Sequence, residues 1–197
     1  SNKEKLKKMK KIKLVNDTVS KKDIDYLIKW LKTYPRLTKG PITSELEQKF
    51  ANKMGSKYSI FCNSGSSANL LMLQCLLEKK IVEKGSKVVV PALAWATDYS
   101  PVVQLGFEPI LCDINLKDLS IDLDHFEKIC SEQRPSVLVL VSVLGLVPDM
   151  EKITEICTKY DVALIEDNCE SLGSASNRKL LGNFGLMSSF STYFGHH

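Results

Sequence analysis

The sequence predicts an α/β domain: a mostly parallel sheet with helices on both faces. Three observations carry that prediction. Runs such as Ser136–Val143 and Val162–Ile165 are apolar almost throughout rather than at alternate positions, as strands buried on both sides require. Between such runs lie stretches with apolar residues at helical spacing, so the two periods alternate along the chain. The composition, 44% hydrophobic and 25% charged over 197 residues, is that of a globular protein able to bury one sizeable core.

The elements follow in order. Lys3, Lys5, Lys7, Lys8, Lys10, Lys11 and Lys13 face one acid, Glu4. With no aromatic residue among them, residues 1–13 read as a basic, disordered terminus rather than a nucleic-acid or membrane contact. Ser20 and Asp23 have capping-box spacing, and Ile24, Leu27, Ile28 and Leu31 share the face of the helix that follows, which Pro35 stops. After the loop Arg36–Pro41, Ser44 and Glu47 repeat the capping-box spacing ahead of Leu46, Phe50 and Met54, and Gly55 ends that helix. Tyr58–Cys62 reads as a strand, Ser67–Lys80 as a helix, and Lys87–Val90 as a strand ending at Pro91. Thr97–Leu105 is a helix broken early by Pro101, Glu108–Cys112 a strand, and Asp124–Cys130 a helix. Ser136–Val143 is a strand, Asp149–Tyr160 a helix capped by Asp149, Val162–Ile165 a strand, and Met187–Thr192 the last strand.

The reading is one domain over residues 14–197. Because the chain stops just after a strand, it reads as the N-terminal part of that domain, with the C-terminal half absent. No run of 18 apolar residues predicts a membrane helix. The six cysteines are widely spaced and include no C-x-x-C, which points to reduced thiols, a cytoplasmic protein, and neither a disulfide frame nor a metal site.

Three strand ends hold the candidate chemistry. Asn63-Ser64-Gly65-Ser66-Ser67 leads into a helix, and its N–H groups suit a phosphate. Trp95, just past Pro91, is placed to stack on a flat ring or to fill a gap in the core. Glu166-Asp167 ends a buried strand, where open α/β sheets bind ligands. Asp167 is placed to pair with a protonated pyridine nitrogen, although strand-end acids also cap helices. Ser191 lies on the last strand, and His196 comes five residues later. A phosphate turn, a ring stacker, a carboxylate and a base are together four requirements of pyridoxal phosphate.

These residues resemble the sugar aminotransferases of the DegT/DnrJ/StrS family, which have the aspartate-aminotransferase fold (fold type I). Four motifs carry the resemblance: Gly40-Pro41 before the helix containing Glu45; Ser64-Gly65-Ser66-Ser67-Ala68; Val90-Pro91 through Thr97; and Glu166-Asp167 with Gly173, Gly182 and Phe190-Ser191. The resemblance implies pyridoxal 5'-phosphate or pyridoxamine 5'-phosphate as cofactor. Gly65, Ser66 and Ser191 would lie on the phosphate, Trp95 on the ring and Asp167 on its nitrogen, with Glu170 near the ring or capping a helix. It also implies a homodimer.

One departure is informative. Six residues after Phe190, where the family's aminotransferases carry the lysine that anchors the cofactor covalently, this chain has His196. Histidine there resembles the sugar 3-dehydratase branch. That implies a nucleotide-sugar substrate with a 4-keto-6-deoxy sugar, glutamate as amino donor, and a place in deoxysugar or O-antigen biosynthesis. Histidine cannot anchor the cofactor as lysine does, yet it is a good base near neutral pH. On an extended segment neighbours point opposite ways, so His196 rather than His197 is the expected catalytic base. A nucleotide-sugar aminotransferase of the same family and an inactive, truncated relative remain alternative readings.

Overall fold

The structure is a computed structural model that describes residues 18–196; the basic terminus and His197 lie outside the described residues. The chain divides into two compact units: Thr38–Ser191, and the described residues up to Leu37 together with those from Thr192.

The smaller unit contains α1 (Lys21–Leu31), capped as its sequence predicts. Ser20 accepts the Asp23 N–H and Asp23 accepts the Ser20 N–H in return. Its other piece is a 3-10 turn, Phe194–His196. The expected strand through Thr192 ends at Ser189. The His196 N–H bonds the Tyr193 carbonyl at 3.0 Å, closing a tight turn in place of an extended segment.

The larger unit is the α/β domain. Its elements are α2 (Pro41–Met54), α3 (Gly65–Glu78), β1 (Lys87–Pro91), α4 (Ala96–Gln104), β2 (Glu108–Cys112), α5 (Leu123–Gln133), β3 (Val137–Val141), α6 (Met150–Tyr160), β4 (Ala163–Asp167), a small hairpin of β5 (Ala175–Ser176) and β6 (Lys179–Leu180), and β7 (Met187–Ser189). Five strands form a parallel sheet in the order β2-β1-β3-β4-β7.

Strand alternation assigns the two faces. Val88, Val90, Val137, Val139 and Ile165 pack with Met72, Leu73 and Leu76 of α3 and Val102 of α4. Their neighbours Val89, Leu138, Leu140 and Leu164 pack with Phe126 and Ile129 of α5 and Met150, Ile153 and Ile156 of α6. Buried on both sides, β1, β3 and β4 lack the hydrophobic alternation of a half-exposed sheet, as the sequence predicts.

Several boundaries depart from the sequence reading. The second helix starts at Gly40-Pro41 and not at Ser44, because proline is preorganised for the first helical position and its missing N–H is no loss there. Glu47 is thus not part of a cap. Its carboxylate accepts the Phe61 N–H at 2.9 Å and pairs with Lys39 at 2.8 Å. That bond is one reason Tyr58–Cys62 is not a strand: its main chain is tied to a side chain, and Tyr58, Ile60 and Phe61 are exposed. Helix α4 continues through Pro101. Proline frees the carbonyl four residues back, and that carbonyl, on Thr97, accepts from the Asn69 side chain at 3.4 Å. Asp122 rather than Asp124 opens α5, accepting the His125 N–H at 2.8 Å.

Candidate functional site

The carboxyl ends of β1 and β4 and the start of α3 meet on one face of the sheet. Period-2 geometry decides which acid of the Glu166-Asp167 pair takes part. Glu166 faces the α5/α6 side with Leu164 and is 1% exposed. It accepts N–H groups from Gly182, Phe184 and Gly185, each at 2.7 Å. Its role is structural: it pins the 182–185 loop under the sheet. Gly185 lets that loop approach, since a Cβ there would collide with the Leu164 carbonyl oxygen.

Asp167 faces the α3/α4 side with Ile165. It is 6% exposed, and its oxygens accept the Cys169 N–H at 2.8 Å and an Asn69 side-chain N–H at 2.6 Å. Asn69 also donates to Asp98 at 3.0 Å. Asp98, 1% exposed, in turn accepts the main-chain N–H of Trp95 at 3.1 Å. Burial, then the negative charge of Asp167 beside it, push the Asp98 carboxyl up to about 8. The same surroundings push the Cys169 thiol well up, chiefly by burial and then by the charge of Asp167.

The Ser/Gly turn lies against this cluster. Ser64 caps α3, its hydroxyl accepting the Ser67 N–H at 3.2 Å. Gly65 and Ser66 occupy the first turn, where N–H groups have no acceptor within the helix and the helix dipole is positive. A Cβ on Gly65 would stand 3.0 Å from the Cys169 sulfur, so a glycine brings the turn close to the end of β4. Trp95 caps α4 with 77% of its surface exposed; it does not fill the core.

The other sequence candidates sit as follows. Ser191 lies two residues beyond β7, not on it. The Glu170 carboxylate accepts the Leu144 N–H at 2.8 Å and caps no regular helix. That bond holds Leu144 at φ 54° in the loop after β3. His196 belongs to the smaller unit, where it is half-buried. Its ring meets Tyr193 edge-on at 5.2 Å, and its Nδ1 has no hydrogen-bond partner among the described residues.

Sequence reasoning missed Asn69 and Asp98. Asn69 was legible as the one amide on the α3 face otherwise made by Met72, Leu73 and Leu76. Asp98, three residues into a helix, has the pattern of an ordinary capping acid. Among the described residues no group of His, Cys, Asp and Glu is arranged to hold a metal.

Residues 18–197 match the profile of the DegT/DnrJ/EryC1/StrS aminotransferase family. This chain belongs to that family. Among the family's proteins, GDP-4-keto-6-deoxy-D-mannose 3-dehydratase of Yersinia pseudotuberculosis is 41% identical over 162 residues, covering 81% of this chain and 41% of the relative. The Escherichia coli GDP-4-keto-6-deoxy-D-mannose 3-dehydratase solved with bound hydrated PLP superposes with a TM-score of 0.87 at 33% identity, over 94% of this chain and 48% of that one. The GDP-4-keto-6-deoxymannose 3-dehydratase solved with a trapped PLP–glutamate geminal diamine also gives 0.87 and 33%, over 93% and 48%. The chain spans about half the length of the relatives it matches. Its fold is accordingly that of the fold type I aminotransferases, as the resemblance implies.

Proposed function

We propose that this chain carries the cofactor-holding part of a DegT-family 3-dehydratase that uses pyridoxal or pyridoxamine 5'-phosphate and acts on a nucleotide-linked 4-keto-6-deoxy sugar. The observation that carries the reading is Asp167: a carboxylate at the mouth of a parallel sheet, held by Asn69 and backed by a helix start whose N–H groups are unused within the helix. Those residues fit the group. Gly65 and Ser66 would bind its phosphate, with the Ser191 hydroxyl adding a further contact. The exposed Trp95 indole would cover one face of the ring, and Asp167 would hold a proton at the ring nitrogen. Glu170, tied to Leu144, would order the loop beside it.

When bound, the cofactor supplies an electron sink for a carbon losing a proton. His196 supplies the base. It cannot bond the cofactor covalently, so the group would be held by hydrogen bonds and stacking alone, and an imidazole is a side chain suited to act as a base. That separates dehydration from transamination at this position, since the aminotransferase reading needs a lysine where the sequence has His196. GDP-linked sugars are the first substrates to try, given the relatives, with glutamate as the amino donor. The expected assembly is a homodimer.

The test is to load the full-length protein with pyridoxal phosphate, treat it with sodium borohydride and digest it. No lysine of the chain should carry reduced cofactor. With glutamate and a GDP-4-keto-6-deoxy sugar it should release a 3-deoxy product, and His196→Asn should abolish that release while leaving cofactor bound. A borohydride-fixed lysine would sink the histidine mechanism.

A further inference from the structure

Two carboxyl groups from distant parts of the chain, Asp98 on α4 and Asp167 on β4, are both almost wholly buried and both accept hydrogen bonds from the same amide nitrogen of Asn69, at 3.0 and 2.6 Å. Neither forms an ion pair among the described residues. The other acidic groups felt at the cluster, Glu170 and the Cys169 thiol, bring no positive charge. Among the described residues its remaining donors are the N–H groups of Trp95 and Cys169 and the weak Cys169 S–H toward Asp167. Two ionised carboxylates offer about eight acceptor positions, and the buried Asn69 Oδ1, itself without a donor, adds another. Like charges this close and this dry cannot both persist.

We propose that Asp98 and Asp167 share one proton, with Asp98 the neutral acid and Asp167 the carboxylate, so that the pair carries a single negative charge on the member at the strand end. Asp98 takes the proton because it is the deeper of the two. Asp167 ends a strand at the mouth of the sheet. Asp98 is thereby a positioning residue: its O–H supplies the donor the cluster lacks and holds Asp167 in the ionised form that a protonated ring nitrogen needs. Only this last consequence rests on the cofactor reading above; the shared proton does not.

Infrared difference spectroscopy on the cofactor-free protein, with and without ¹³C-carboxyl aspartate, tests the proton directly. Wild type should show the stretch of a buried, protonated aspartic acid at neutral pH, lost as the solution is made alkaline and missing in Asp98→Asn. Absence of that band in wild type, or its survival in Asp98→Asn, would overturn the proposal. Labelled wild type decides the first point even if the variant does not fold. A second readout is the absorbance of bound pyridoxal phosphate against pH. It should show a step in the range where Asp98 ionises, and that step should vanish in Asp98→Asn, which a purely structural role would not produce. A protein that binds no pyridoxal phosphate would refute the cofactor reading and leave the infrared result to stand.

Discussion

Glu166 and Asp167 are adjacent, both acidic and both buried, yet the pleat of β4 sends them to opposite faces, where they do different things. Glu166 is saturated by three main-chain N–H groups, so its removal should cost stability rather than chemistry. Leaving those donors buried and unpaired costs about 3 kcal/mol or more in Glu166→Ala, and urea unfolding should show it. The burial of Asp98 predicts a pH dependence with a definite sign. An aspartate in the unfolded chain releases its proton near pH 4, whereas folded Asp98 keeps it to about 8. Between those values the folded state holds the extra proton, so stability falls as pH rises through that window and levels off above it. Asp98→Asn should flatten that part of the stability profile in thermal unfolding scans; an unchanged slope would show that the folded carboxyl is ionised throughout. The strand-end placement of Asp167 was legible because an apolar run names the strand it ends. Its partners were not, because Asn69 and Asp98 reach it only through tertiary packing of α3 and α4.

At the level of elements, local chemistry was read well where it is self-contained and poorly where a distant group intervenes. The capping box of α1 needs only Ser20 and Asp23, and it forms. The same spacing at Ser44 and Glu47 fails because Pro41 starts the helix earlier and Glu47 is drawn to Phe61. Gly185 shows how tightly one element can depend on another. Its N–H bonds Glu166 and its missing Cβ makes room for the main chain of β4. Gly185→Ala should destabilise by roughly 1–3 kcal/mol through overpacking against backbone that cannot rotate away. The packing of α5 and α6 makes a further prediction about thiols. Burial pushes Cys130 on α5 up to about 11 and Cys157 on α6 up to about 12, and Cys112 on β2 likewise to about 12. Cys75, on the outer side of α3, is exposed. A thiol reagent should label Cys75 in the native protein and reach Cys112, Cys130 and Cys157 only after denaturation. Native-state labelling of those three would mean that the core cluster opens.

The parallel order β2-β1-β3-β4-β7 brings Ser64, Trp95 and Asp167, far apart in sequence, to one end of the sheet, where open α/β folds bind ligands. The fold class was readable because alternating periods report it without any long-range information. The assembly of the site was readable only in outline, through motifs that matter jointly. This arrangement makes the whole domain respond to a ligand. A group touching the start of α3, the loop after β1 and the end of β4 ties three separately folded stretches together and favours only the folded state. Free pyridoxal phosphate at a hundredfold over its dissociation constant should therefore stabilise the protein by about 2.7 kcal/mol, seen as an upward shift of the thermal midpoint. Trp95→Ala separates binding from folding. Because the indole is 77% exposed, its loss should leave the midpoint of the free protein within about 0.5 kcal/mol of wild type. The ligand-induced shift should shrink as one ring contact, worth about 0.5–1.5 kcal/mol, disappears. A Trp95→Ala protein that is weakened without ligand but shifts as wild type does would make Trp95 a packing residue. It would also remove the indole from the proposed cofactor site.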